Sequence, residues 1–319
     1  MSERYYSYSA YLKSRFGARV GRICVNAGFT CPNRDGSLDS SGCIYCNERA
    51  FSAPAGTGVD VSGQIRAALA RAGRGNAAKY VLYFQNGSNT YAPVDRLRQV
   101  FDAIYDFPQC VSLSVSTRPD CVSDDTLDLL AGYARQYDVW LELGLQSAHA
   151  ATLQLINRRH TAAQFFEAAA GAAARGIHVA AHLILGLPGE SPAMMRQTAA
   201  AVAQSPVEAV KLHMLHVVRD TELARWYAEG RLPLLSRQEY VMSACDVLER
   251  LRQDCVILRL ISDARADVLI APEWINDKQT VIRLVTAELQ RRGTRQGCLF
   301  PGVLPDKAPE GPADARSVD

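Results

Sequence analysis

The 319-residue chain lacks the features that would commit it to a membrane or fasten it to nucleic acid. Nowhere do eighteen apolar residues run together, and the opening MSERYYSYSAYLKSRFG has no apolar core of the kind a secretory signal carries. No membrane partner and no disulfide partner are expected; the expected compartment is the cytoplasm, where thiols stay reduced. Lysine is scarce, at five residues (Lys13, Lys79, Lys211, Lys278 and Lys307), and no run of basic residues makes a stripe that could track phosphates. A formal net charge of +2 selects no partner. No internal repeat exceeds a simple alternation of short elements.

That alternation is the main signal present. Hydrophobic content of 48% and charged content of 21% suit a folded protein with a large core. Short apolar runs rich in Val, Leu and Ile fall at 19–27, 79–85, 110–116, 138–146, 178–186 and 208–215, the pattern of strands buried on both faces. Helical stretches lie between them at 62–73, 94–107, 123–137, 161–176 and 191–204. Ser123, Thr161 and Ser191 read as N-caps and Gly176 as a helix stop. Six β-then-α units predict a parallel sheet, as an incomplete barrel or an open doubly wound sheet. Residues 236–300 add helices and a strand-like run at 255–261, and 301–319 is Pro- and charge-rich, expected to be disordered.

Nine cysteines in a reducing compartment point to metal or catalytic use for some of them. Cys31, Cys43 and Cys46 stand together in GFTCPNRDGSLDSSGCIYCN, on the loop after the first strand. Ligands bind at the carboxyl ends of strands in such folds, so this loop lies at the mouth. Three readings are open. Zinc would need a fourth ligand, for which Cys24 is the candidate, although its place in the strand suits a small packed hydrophobe better. A thioredoxin-like pair would leave one cysteine unused. An iron–sulfur cluster on three thiolates would keep an open iron for a ligand, with Tyr45 as an aromatic shield. Cys110, Cys121, Cys245, Cys255 and Cys298 have no ligand spacing and read as packing residues or isolated thiols.

The chain resembles the radical S-adenosylmethionine (SAM) superfamily, and within it the YhcC/YtqA-like proteins related to the elongator catalytic subunit. The stretches carrying the likeness are GFTCPNRDG, GCIYCN, YFQNGSNTYAP, STRPDCV, VWLELGLQSAH, INRRHT, HLILGLPGE, VKLHMLHVV and SDARADVLIAPEW, from about residue 12 to 300. The usual three-then-two cysteine spacing is stretched here to eleven and two, as in that subfamily. The resemblance implies an α/β fold, a partial (β/α)6 barrel with a C-terminal helical and strand extension. With the element pattern, the chain divides into an N-terminal segment (1–18), the barrel (19–235), the extension (236–300) and the tail (301–319). The resemblance also implies a 4Fe–4S cluster on Cys31, Cys43 and Cys46, SAM as the second cofactor, and an electron donor of flavodoxin or ferredoxin type. The open iron would chelate the methionine end of SAM, and reductive cleavage would give a 5′-deoxyadenosyl radical.

By the same resemblance, Gln85, Asn86, Gly87 and Ser88 replace the usual Gly-Gly-Glu motif near the SAM ammonium. Gln146 and Arg158 match SAM contacts of the coproporphyrinogen dehydrogenases, and Ser116 and His182 stand where polar contacts to the ribose fall. Leu185 and Gly186 would let adenine approach the backbone, with Tyr45 near it. Glu142 needs a partner inside its apolar strand, and Arg118 is the candidate. Lys211 and His213 alternate with apolar residues, so they share the interior face and are the candidate proton-handling residues; His216 follows at the rim. Arg34 and Asp35 would order the cysteine loop, while Asp263, Arg265 and Trp274 would close the open side. The substrate implied is a wobble uridine of tRNA, held by Arg158, Arg159 and Arg265. The alternatives are a radical SAM enzyme acting on a small metabolite and a zinc-stabilised binding protein without catalysis.

Overall fold

The computed structural model describes residues 4–47, 60–72 and 77–302. The tail expected to be disordered lies outside the described residues from 303 onward. Helix α1 (Tyr8–Phe16) precedes six strands that form where the apolar runs fall: β1 Val20–Val25, β2 Lys79–Phe84, β3 Cys110–Thr117, β4 Asp138–Gln146, β5 His178–Leu185 and β6 Ala209–Met214. β4 is buried at every position, as a strand covered on both faces must be. The connecting helices are α2 (Val61–Ala72), α3 (Val94–Phe101), α4 (Asp124–Ala134), α5 (Ala150–Leu155), α6 (Ala162–Ala173) and α7 (Pro192–Ala203).

The expected caps are in place. The hydroxyls of Ser123, Thr161 and Ser191 accept from the amides of Thr126, Gln164 and Met194, and Thr161 and Gln164 complete a capping box. α3 is shorter than its pattern, because after Phe101 the chain tightens into a 3-10 turn over Asp102–Asp106.

The sheet has seven parallel strands, one more than expected, in the order β1-β2-β3-β4-β5-β6-β8. Strand β7 (Val217–Val218) and helix α8 (Glu222–Ala228) precede α9 (Arg237–Arg250), which leads to β8 (Val256–Arg259). β8 was read from sequence as part of the extension, yet it pairs with β6 through Ala209↔Val256 and Val210↔Ile257. The crossover between them is α9, which packs on α7 and β5. β9 (Leu269–Ala271) pairs antiparallel with β7, and α10 (Lys278–Arg291) packs on α9.

Curling brings distant strands together. β2 and β6 are four strands apart, which would separate them by about 19 Å in a flat sheet. Instead Lys211 Nζ of β6 donates to Tyr83 Oη of β2 across 3.0 Å. The gap between edge strands β1 and β8 is covered by α1, which packs on both, and Ile257 N–H donates to Tyr6 O at 2.8 Å. Interior residues near the amino ends of the strands (Trp140, Ala180, Ala209 and Val256) pack with Tyr6, Tyr8 and Tyr11 to form an apolar floor. A half-barrel with a plugged floor leaves its carboxyl end open for ligands.

Candidate active site

The cysteine loop leaves β1 at the open end and is tied down mainly through backbone groups. Asn33 donates to Asn157 O at 2.7 Å, Asn157 to Gly42 O at 2.8 Å, and Arg34 to Cys46 O at 2.9 Å. Ile44 N–H donates to Ile156 O, and Ile44 O accepts from Leu223 N–H of α8. The expectation that Arg34 orders this loop is therefore met. Gly87 permits the closest approach: a Cβ there would lie 2.2 Å from Phe29 O, and its φ is +67°.

Cys31, Cys43 and Cys46 line one cavity of about 180 Å³, together with Tyr45, Ser88, Arg118, Gln146 and Arg158. Two donors address Cys43 Sγ: Asn33 Nδ2 at 3.5 Å and Arg158 Nη1 at 3.6 Å. Arg158 is 8% exposed, and its Nε donates to His160 Nε2 at 2.7 Å while Nη2 donates to Gly144 O at 3.0 Å. Burial, with the Arg158 charge beside it, pushes His160 down to about 3, so its ring is a neutral acceptor for that bond. Glycine at 144 makes room, since a Cβ there would lie 2.5 Å from Arg158 Nη2.

A second cavity of about 260 Å³ runs from Tyr45, Cys46 and Gln146 into the barrel lumen, where Tyr83, His182, Lys211, His213 and Arg259 line it. Gln85, Asn86 and Ser116 border it as well. Gln146 and Asn86 close their strands with φ of 70° and 73°, a left-handed conformation that costs non-glycine residues energy and marks functional segments. At the centre is Glu142, which accepts from Ser114 Oγ at 2.6 Å and from His182 Nε2 at 2.7 Å and pairs with Lys211. Burial alone would raise its pKa, but the Lys211 ammonium and His182 hold the carboxyl well below its ordinary range. Burial, opposed by Glu142, brings Lys211 down to about 8, and burial beside that ammonium puts His182 near 4. At neutral pH the site thus holds a charged Lys–Glu pair and a neutral imidazole donating from Nε2. His213 is also pushed well down by burial, with its ring 5.3 Å from that of His182 and its Nε2 buried without a partner.

Two expectations need correction. Glu142 pairs with Lys211 and His182, whereas Arg118 pairs with Asp120 at 2.8 Å. Cys24 is not a packed hydrophobe; it is solvent-accessible and lies in the field of Arg22, Lys211, Arg259 and Glu142, away from the three-thiol cavity. The other expectations are not overturned: Leu185 is in the main core at 2% exposure and a Cβ on Gly186 would meet the Leu235 side chain at 2.9 Å, but the expected approach of adenine concerns their backbone. Arg159 pairs with Asp39 and Arg265 with Asp267, Asp263 pairs with Lys278, and Trp274 packs against Tyr240 and the core. Sequence reasoning passed over Asn33, Tyr83 and Arg259. The last was readable had 255–261 been taken as a seventh strand, because Arg259 stands beside Lys211 in register.

The donor set tests what the thiol cavity can hold. Thiolates on one zinc ion would each sit about 2.3 Å from it. Among the described residues, no three His, Cys, Asp or Glu side chains gather as a single-ion site. Three thiols around one cavity, with N–H groups aimed at sulfur and buried polar atoms left for a ligand, fit a larger iron–sulfur group.

The family model of the Radical SAM superfamily matches residues 28–202, and that of the Radical_SAM C-terminal domain matches residues 207–291. The chain belongs to the radical SAM superfamily. It is accordingly a radical SAM enzyme whose cofactors are a 4Fe–4S cluster and SAM. Over 300 residues it is 36% identical to Bacillus subtilis YtqA, covering 93% of each chain. A tRNA uridine(34) acetyltransferase of Methanocaldococcus infernus is 25% identical over 213 residues, 62% of this chain and 38% of that protein. Among solved structures, the archaeal Methanocaldococcus infernus Elp3 lacking its N-terminus superimposes with a TM-score of 0.66 at 19% identity. That match covers 87% of this chain and 64% of the other. Among the described residues, no helix is long and apolar enough to cross a membrane.

Proposed function

We propose that the enzyme modifies a wobble uridine of tRNA in the cytoplasm, with Cys31, Cys43 and Cys46 as the cluster ligands and a flavodoxin- or ferredoxin-type protein as electron donor. The observation that carries the reading is the adjoining of the three-thiol cavity and a lumen cavity of about 260 Å³, which share Tyr45, Cys46, Ser116, Gln146 and His182 and give room for a flipped-out base. The similarity to a tRNA uridine(34) acetyltransferase supports the choice of base. When bound, the cluster and SAM supply a radical that takes a hydrogen atom from an unactivated carbon. Arg158 and Asn33 orient Cys43 through their N–H groups. Tyr45, at the junction of the two cavities, keeps water from the thiol side. Gln85, Asn86, Ser88, Ser116, Gln146 and His182 border the space in which SAM would lie. Lys211, charged at neutral pH, gives a proton to the substrate, and the neutral His213, with its Nε2 unpartnered, hydrogen-bonds and orients the group that receives it.

A small metabolite is the second reading. It is favoured by the state of the arginines expected to hold RNA: Arg158 is buried, and Arg159 and Arg265 are held by Asp39 and Asp267. The deciding experiment is deuterium transfer from tRNA labelled on the uridine side-chain carbon into 5′-deoxyadenosine. The tRNA reading fails if reconstituted enzyme shows no salt-sensitive tRNA binding and a deletion strain keeps every tRNA nucleoside unchanged.

A further inference from the structure

Two buried polar side chains on the thiol cavity are left with bonding capacity that the protein does not use. Arg118 is 2% exposed and Ser88 1% exposed, and both line the cavity with Cys31, Cys43 and Cys46. Arg118 grips Asp120 with Nε at 2.9 Å and Nη2 at 2.8 Å, and Nη2 also donates to Arg158 O at 2.9 Å. Its Nη1 has no partner, and Ser88 Oγ has none but the neighbouring Cys121 thiol, to which its hydroxyl donates, so its lone pairs are left over. A buried guanidinium N–H without an acceptor is costly, so its retention points to a ligand. Arg158, expected to contact SAM, already spends three of its five N–H groups on Cys43, His160 and Gly144.

We propose that Arg118 Nη1, with Ser88 Oγ, binds the amino-acid end of SAM: the arginine donates to the carboxylate and the serine oxygen accepts from the ammonium. The fork on Asp120 holds the guanidinium before the ligand arrives, so little side-chain freedom is lost on binding. Arg158 is then a positioning residue for the Cys43 thiolate. The inference rests on the family's two cofactors and is independent of the tRNA reading.

The test is SAM binding by the anaerobically reconstituted full chain, measured by equilibrium dialysis beside decarboxylated SAM, which lacks the carboxylate. Arg118→Met is expected to weaken SAM about tenfold or more and to leave the decarboxylated analogue unaffected. Arg118→Lys should recover part of the loss, and iron and sulfide content should match the parent. Equal losses for both ligands, no loss for SAM, or loss of cluster iron in Arg118→Met would overturn the assignment. Should that variant fail to fold, Ser88→Ala decides: weaker SAM binding with normal iron is expected, and unchanged affinity overturns it.

Discussion

The thiol cavity and the barrel lumen are neighbours, but they satisfy their polar groups in opposite ways. In the lumen the charges answer one another: Glu142 binds Lys211, His182 and Ser114, and Lys211 also reaches Tyr83. On the thiol side, capacity is left over at Asn33 Oδ1 and Arg118 Nη1, both buried without a partner, and on the lone pairs of Ser88 Oγ. In the lumen, among the described residues, only His213 Nε2 is buried in that state. A surface shaped around a fixed cofactor can leave polar atoms unpartnered, because a bound cofactor would complete them. A lumen that must persist before its substrate arrives has to neutralise itself. For that reason the cofactor end is more legible than the substrate end.

The contrast can be broken most severely at the thiols. Alanine at Cys31, Cys43 or Cys46 should abolish cluster iron, sulfide and all SAM cleavage, whereas Cys24→Ala should retain the iron. Equal losses at Cys24, measured by iron and sulfide analysis, would reinstate a four-thiol site. In the lumen, Glu142→Gln leaves Lys211 buried without its counter-charge and should cost about 3–5 kcal/mol of unfolding free energy by denaturant titration. Adding Lys211→Met should return much of that loss; if it does not, the pair is no coupled unit.

A smaller effect separates the two regions by pH. Lys211 is protonated below about 8 and loses its charge above it, so product formation that depends on its proton should decline as pH rises through that value. Uncoupled SAM cleavage, which does not use it, should keep its rate there. Lys211→Arg should move the decline to higher pH, and a decline common to both reactions would remove Lys211 from the substrate step. The smallest change lies at a helix start whose side chain lines neither cavity: Thr161→Ala removes a capping box and should cost about 1 kcal/mol with SAM affinity unchanged.

Local sequence made much of the framework readable. Apolar runs located six strands within a residue or two, and Ser123, Thr161 and Ser191 marked helix starts through bonds to amides three residues on. α5 and α8 were passed over because they have six and seven residues, too short to display a period. β8 was misplaced because four residues carry no sign of which sheet they join. The same division runs through the site. The three cysteines are picked out by the motifs of the family they resemble, but the partner of Glu142 lies 69 residues away on β6, and the alternative, Arg118, is taken by Asp120 two residues on.

Sequence alone thus determined the strands, the capped helices, the thiol loop at the mouth and, through its motifs, the family. Each depends on contacts within a few residues or on a spacing that chemistry dictates. Tertiary structure decided that a seventh strand extends the barrel, that Lys211 rather than Arg118 neutralises Glu142, and that Arg158 turns to Cys43 while Arg118 keeps a free donor on the thiol cavity. These outcomes follow from the curl of the sheet, which brings side chains from distant strands within bonding distance and so lets them compete for the same buried charges.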